Sequence, residues 1–326
     1  MVDRPPWTLL HAELHRTLKQ RQLLQPGQGI LVAVSGGQDS LCLTQLLLDL
    51  QPKWGWKLAI GHCDHRWRLD SAANAAYVRD LADSWQLPFH LVTAPVALTT
   101  EATARDWRYR VLTEIAQTEN LTAITTGHTA TDRSETLLHH LLRGSGMDGL
   151  PALAWKRPLQ PEISLVRPLL DQTRAETAVF CQARHLTPWE DSTNQDLSYT
   201  RNRIRQELFP YLQTHFNPQI EKTLAQTAEL LEAEVAFLQA EADRLLQASR
   251  HPDQTGLNRV LLRSAPLALQ RRVARSFLKE ILPLAPEFDH IAKLVALIPA
   301  PNRSQTDPFP GGAIAHVDGD WIYLKH

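Results

Sequence analysis

Cysteine is scarce: Cys42, Cys63 and Cys181 are the three in 326 residues, widely separated and with no C-x-x-C pair. That spacing argues against a zinc or iron–sulfur centre and suits a reducing cytosol. No apolar run approaches the roughly 20 residues that cross a bilayer. The start of the chain, with Asp3, Arg4, Pro5 and Pro6, lacks the basic-then-apolar order of a secretory signal. A cytoplasmic location and no membrane attachment are therefore expected. Charge of either sign is not in excess either: 34 Lys plus Arg face 35 Asp plus Glu, for a net charge of -1. Without a global basic field, any RNA contact must come from local clusters. Low-complexity tracts and fixed-period repeats are missing too. What remains is an ordinary globular composition, 43% hydrophobic and 21% charged, long enough for two domains.

The stretch that organises the rest is Ile30-Leu31-Val32-Ala33-Val34 followed by Ser35-Gly36-Gly37-Gln38-Asp39-Ser40. The apolar run reads as a buried strand. Gly36 and Gly37 let the main chain turn sharply and approach a ligand closely. The helix predicted from Ser40 onward adds unpaired N–H groups and a positive dipole end, so strand, turn and helix start make a phosphate cradle. One thing is absent here also. The common mononucleotide loop ends in a lysine, and this turn has Asp39 instead. A carboxylate beside phosphates makes sense with Mg2+ between them.

Further strands are predicted at 57–61, 89–92 and 122–126, and helices at 7–24, 69–86, 102–118 and 132–142. Alternating strands and helices imply a parallel, doubly wound sheet, whose ligand sits beyond the carboxyl ends of the strands. The polar constellations fall at those ends. His62-Cys63-Asp64-His65 follows the second strand, with Cys63 read as a small apolar strand residue. Arg105 and Arg108, three apart with Tyr109 beside them, suit a phosphate or nucleobase, though a solvated helix face has the same spacing. His128 leaves the fourth strand, Asp132 is placed to cap the next helix, and Glu135 lies one turn on. With Asp39, the carboxylates of Asp132 and Glu135 are candidates for a Mg2+ site.

The S-G-G-x-D-S string resembles the pyrophosphate loop of the N-type ATP pyrophosphatases, and the remaining motifs resemble the bacterial tRNA(Ile)-lysidine synthetases. Those carry H-x-D-H, A-R-x-x-R-Y, G-H-H-x-D-D-x-x-E-T and L-L-R-G-S-G. This chain has His62 to His65, Ala104 to Tyr109, Gly127 to Thr136 and Leu141 to Gly146, then Val166-Arg167-Pro168-Leu169-Leu170, Arg174, Glu190 to Asn194, and Tyr199 to Arg205. It departs at Thr129 and Thr131, where a second His and a first Asp are usual, and at Trp67, which replaces a leucine before Arg68. The resemblance covers residues 28–215 well. It implies an adenine nucleotide alpha hydrolase-like fold of PP-loop type with a smaller, mainly helical C-terminal domain. It also implies ATP and Mg2+ as cofactors, and free L-lysine and a tRNA(Ile) with anticodon CAU as partners. The reaction it implies adenylates the C2 oxygen of the wobble cytidine and then replaces AMP by the lysine ε-amine. Ser35, Gly36, Gly37, Gln38, Asp39, Ser40, His62 and Asp64 would bind ATP, with His128, Arg105 and Arg108 positioning phosphate and cytidine. A thiolating tRNA ligase of the same superfamily, an ammonia-using amide synthetase and a non-catalytic RNA-binding protein are the alternatives.

Arg201, Arg203 and Arg205 form a basic cluster before a helix expected to stop near Pro210. Alternate arginines spread around a helix, so a structural clamp between the sheet and the next domain and direct RNA contact both fit. The expected domains are 1–215 and 216–326. In the second, residues 219–248 read as a long acidic helix. Arg271, Arg275 and Lys279, at i, i+4 and i+8, make the basic face of an amphipathic helix suited to phosphodiesters. Ile314 to Leu324 reads as a hairpin around Asp318-Gly319. A homodimer is compatible with the sequence but not specified by it.

Overall fold

The structure, a computed structural model, describes residues 7–66, 70–98, 100–189 and 196–325. The Trp67 departure and the Glu190 to Asn194 motif lie outside the described residues.

The chain divides into two compact units after Leu231. The first is built on β1 (Gly29–Ala33), β2 (Lys57–Asp64), β3 (Phe89–Thr93), β4 (Ala123–Thr126), β5 (Lys156–Gln160) and β6 (Ile163–Val166), in the order β3-β2-β1-β4-β6-β5. Every pairing is parallel except β5 with β6. Helices α1 (Leu9–Gln20), α2 (Gln38–Trp54), α3 (Ser71–Ser84), α4 (Glu101–Thr118), α5 (Ala130–Leu142) and α6 (Arg174–Ala183) surround it.

Alternation along the strands explains why both faces need helices. Ile30, Val32, Leu58, Ile60, Ala123 and Val166 enter one apolar core with α1, α2, α3 and α6. Leu31, Ala59, Ile124 and Leu165 enter another with Leu112 and Ala116 of α4. A strand buried on both sides reads as a continuous apolar run, as β1 does. The chain moves outward from β1 to β3 and then returns to β4 on the other side. The direction of the sheet thus reverses between β1 and β4, where this architecture binds ligands.

Two elements differ from expectation. Strands β5 and β6 were not foreseen, because Ile163–Val166 is only four residues long and Pro158 interrupts β5. The helix after Tyr199 does not stop at Pro210. It runs through α7 (Thr200–Arg203), a π turn at Ile204–Leu208 and α8 (Phe209–His215). Proline has no N–H to return to the carbonyl four residues back. Here Phe209 N–H bonds Ile204 O instead, and the wider turn absorbs the defect.

Helix α9 (Ile220–Ser249) crosses from one unit to the other. Its first turns belong with the sheet because their acids bond there. Glu221 accepts from the Thr131 hydroxyl and from Gln213 (2.7 Å). Glu229 accepts from the Trp155 indole (3.2 Å), Arg133 (3.3 Å) and Arg21 (2.6 Å). Both cations also lie within cation–π range of Trp155, at 4.2 Å for Arg21 and 5.8 Å for Arg133. Arg133 is 1% exposed, and the partly exposed Glu229 is a counter-ion to it.

In the second unit, α10 (Arg259–Ser264), α11 (Leu267–Ile281) and α12 (Phe288–Ala296) join a small antiparallel sheet. The predicted hairpin is β8 (Ile314–Asp318) with β9 (Trp321–Lys325), and β7 (Gly256–Asn258) adds to the far side of β9. Val273, Ala274, Phe277 and Leu278 of α11 are buried in this unit's core. Arg271, Arg275 and Lys279 are exposed on the opposite face, as the spacing predicts. Arg272 differs: it is buried and donates to Gln239 (3.3 Å).

Candidate active site at the reversal point of the sheet

The turn after β1 is closed by its own side chains. Ser40 Oγ donates to Gly37 O (2.8 Å), while Ser35 N–H reaches Ser40 Oγ and Gly37 N–H reaches Ser35 Oγ, each at 3.3 Å. Gly36 adopts φ +86°, and a Cβ there would meet Asn74 Nδ2 at 2.8 Å. Residues Gln38 to Ser40 are the first turn of α2, whose N–H groups have no intrahelical acceptor by position.

The exit of β4 lies against this turn. A Cβ on Gly127 would sit 2.7 Å from the carbonyl carbon and oxygen of Asp39 and 2.8 Å from Ser40 N. Only glycine lets the two crossovers touch main chain to main chain. On the other side, α6 grips the same residues. Gln38 donates to Arg174 O (2.6 Å) and Thr177 Oγ1 (2.7 Å). Thr177 donates to Asp39 (2.5 Å), and Arg174 lies 3.4 Å from its other oxygen. Burial nevertheless raises the Asp39 pKa, against the pull of Arg174 and with Asp132 adding to the rise.

Thr129 caps α5 in a reciprocal box with Asp132. Asp132 Oδ2 accepts from Thr129 N–H (2.7 Å) and its hydroxyl (2.9 Å), and Thr129 Oγ1 accepts from Asp132 N–H. Burial works to raise the Asp132 pKa, but His128, the Thr129 N–H and Arg205 outweigh it, and the net shift is downward. Its other oxygen is 3.5 Å from Arg205. Glu135, 2% exposed, is held by Arg205 at both oxygens, Nε to Oε1 at 2.5 Å and NH2 to Oε2 at 2.9 Å. Burial raises its pKa although Arg205 opposes the rise. Asp39, Asp132 and Glu135 thus share Arg205 as a neighbouring charge. Among the described residues, no group of three or more His, Cys, Asp or Glu side chains is arranged to hold a metal ion. The three predicted metal ligands converge electrostatically without forming a closed cage.

The remaining predicted residues separate. His62 and Asp64 fall inside β2, which runs three residues further than foreseen, and both are buried. His62 Nδ1 lies 2.7 Å from Val34 O, and Asp64 accepts from Arg66 N–H (2.8 Å). His128 meets the Thr126 hydroxyl at 2.8 Å, and burial, helped by Arg167, Arg108 and Arg201, lowers its pKa to about 4. Arg108 is half-buried, with an Nε that has no hydrogen-bond partner among the described residues. Arg105 is exposed, its nearest acid the adjacent Asp106 at 3.8 Å. Arg201 acts on His128 and Glu135, and Arg205, one helical turn on, grips Glu135, whereas Arg203 is exposed. Arg205 therefore ties its own helix to α5 within the first unit, which is not the link to the next domain that was expected, and Arg203 has no part in it.

A family model described as a PP-loop domain matches residues 10–212. The tRNA(Ile)-lysidine synthase of a Nostoc species is 60% identical over 98% of this chain and 98% of its own length. That of a Synechocystis species is 52% identical over 97% of each. This chain belongs to the tRNA(Ile)-lysidine synthase family. The U34-tRNA thiolase NcsA from Methanococcus maripaludis superposes with a TM-score of 0.57 at 13% identity, covering 68% of this chain and 78% of that one, and shares its fold.

Within the lysidine synthase pattern, the two departures have structural work here. Thr129 is the α5 cap, and Thr131 accepts from Arg174 N–H (3.1 Å) while donating to Glu221. Sequence reasoning missed Arg174 and Thr177 as neighbours of Asp39. It named Arg167 in a motif but gave it no role; this residue, 3% exposed, donates to Ala154 O (2.7 Å) and to the Tyr109 hydroxyl (3.4 Å). The signal for Arg167 was an arginine directly after a strand end on the ligand side of the sheet. Arg174 also stood in the motif match, without a role, whereas Thr177 gave no signal, because its place was set by the unforeseen β6.

Proposed function

We propose that ATP lies across the ends of β1 and β4, with its pyrophosphate on the Ser35 to Ser40 main chain. The wobble cytidine of a CAU-anticodon tRNA is adenylated at its C2 oxygen, and free L-lysine then displaces AMP. The observation that carries this reading is the contact of Gly127 with the Asp39–Ser40 backbone. It brings the phosphate turn and the acid-bearing start of α5 together at the reversal point.

Mg2+ fits the donor set. It is usually held by one or two carboxylates and substrate phosphates rather than an all-protein cage. Asp39 and Asp132 would supply those carboxylates, and Glu135 would join them only by exchanging Arg205. When bound, the metal stabilises charge on the departing pyrophosphate. The chain's own groups do the rest. His128, neutral at physiological pH, orients phosphate or cytidine by hydrogen bonding without adding charge. Arg108 offers its unpartnered N–H to an anionic or carbonyl oxygen, and Arg105 stands further out towards the RNA. His62 and Asp64 line the ATP side.

Residues 1–215 form the adenylation domain in this reading and 216–326 the tRNA-binding domain, with α9 shared between them. Arg201, Arg203, Arg271, Arg275 and Lys279 contact RNA, while Arg205 supports the site. The setting is the cytoplasm. The thiolating alternative is poorly served: Cys42 is fully buried, and burial pushes the Cys63 thiol up to about 12. Mass analysis of tRNA incubated with ATP and lysine tests the proposal. A lysine adduct on the anticodon cytidine, with pyrophosphate release that needs both substrates, is expected; unmodified tRNA would overturn it.

A further inference from the structure

Apart from Arg203, one strongly exposed feature is not used by this mechanism. Tyr199, Arg203, Glu207, Tyr211 and His215 recur every four residues along the α7–α8 helix, and all are exposed. Tyr211 is 56% exposed and Tyr199 57%, and Phe216, directly after the helix, is 70% exposed. The Tyr211 ring lies 4.6 Å from His215 and 5.9 Å from Phe216, centroid to centroid. Three large aromatics left in solvent on one short segment are unusual for a surface that binds nothing.

Charge and position favour one occupant. Residues 197–219 hold three arginines against one glutamate. The same helix sends Arg201 and Arg205 to the charges of the active site. Tyr211 lies six residues beyond Arg205, about 9 Å along a helix, and Phe216 about 16 Å. That is the length of a few stacked nucleotides, at about 3.4 Å each. Flat rings beside cations bind unpaired bases by stacking, with little dependence on which base is present.

We infer that Tyr211 and Phe216 form a stacking ledge for unpaired anticodon-loop bases next to the target cytidine, and so position the RNA for reaction. The inference rests on the tRNA reading above. Arg203 and His215 flank the ledge as phosphate contacts, and Glu207 weakens it.

The test uses the full-length protein and a CAU-anticodon tRNA carrying 2-aminopurine at the anticodon adenine or, in a second RNA, at the purine following the anticodon. Stacking quenches the fluorophore on binding. Tyr211→Ala and Phe216→Ala should each weaken tRNA binding at least about five-fold and abolish the quench of one probe. ATP binding and melting temperature should not change. Tyr211→Trp should restore the quench, and Glu207→Gln should tighten binding at low salt. Undiminished affinity and quench in both alanine variants would overturn the inference. So would a wild-type dimer that Tyr211→Ala converts to monomer, because the rings would then be a seam between copies. If wild-type protein binds and quenches but adds no lysine, the ledge stands and the lysidine reading falls. If it adds lysine without quench, the reverse holds.

Discussion

Arg205 and Arg271 are the same residue type on amphipathic helices, and they end in opposite circumstances. Arg205 meets Glu135 at both oxygens and Asp132 at a third. Arg271 is exposed, its guanidinium 5.9 Å from the Phe288 ring. In the first unit, basic side chains neutralise acids that the fold has buried at the reversal point. In the second, Arg271, Arg275 and Lys279 are exposed along one face of α11. A buried pair is a structural commitment: removing one partner strands the other charge away from solvent. An exposed row costs the fold little and is available to a polyanion.

The sharpest break would come from the acids. Asp39→Ala or Asp132→Ala should lower lysine incorporation at least about 100-fold, the scale of losing a charge-stabilising group, with circular dichroism unchanged. Retained activity in either variant, assayed with labelled lysine and tRNA, would reject the metal assignment. Arg205→Ala should cost about 3–5 kcal/mol in denaturant unfolding by stranding Glu135, and Arg205→Met with Glu135→Leu should recover much of it. A loss below about 1 kcal/mol would make the pair an ordinary surface bridge. Gly127→Ala should cost about 1–3 kcal/mol, because its methyl group must displace main chain at Asp39. It should weaken ATP binding as well.

The exposed row should behave in the opposite way. Arg271→Ala, Arg275→Ala and Lys279→Ala should each change stability by no more than about 0.5 kcal/mol. Each should reduce the salt dependence of tRNA binding by about one counterion. An unchanged salt slope in the triple variant would remove α11 from the RNA interface.

The smallest effect concerns protons. Burial lowers the pKa of His65 and of His128 to about 4. The unfolded chain, with histidines near 6.5, takes up protons first as pH falls. Stability is therefore fully present above about 6.5 and is lost as pH drops towards 4. His65→Gln should flatten melting temperature against pH across that window; an identical slope would mean that His65 titrates alike folded and unfolded.

The parallel core was legible because β1, β2 and β4 are apolar runs that end in polar motifs, and α2, α3, α4 and α5 follow each strand with the right period. Their ends bring Asp39, His128 and Asp132 within electrostatic reach of one another. What could not be read was the part set by long-range packing. The partner of Glu135 depends on a helix 70 residues away. The α6 grip on Asp39 comes from positions 135 and 138 residues later, which no local pattern records. Proline at 210 signalled a helix end, and the chain answered with one wider turn.

Glu229 also has a practical bearing on where the catalytic half can be cut. The family match ends at residue 212, yet a fragment ending there would leave Arg133 in the interior with its acid deleted, and Thr131 and Ser134 without Glu221. A self-sufficient piece has to carry the opening turns of the long helix, to about residue 231.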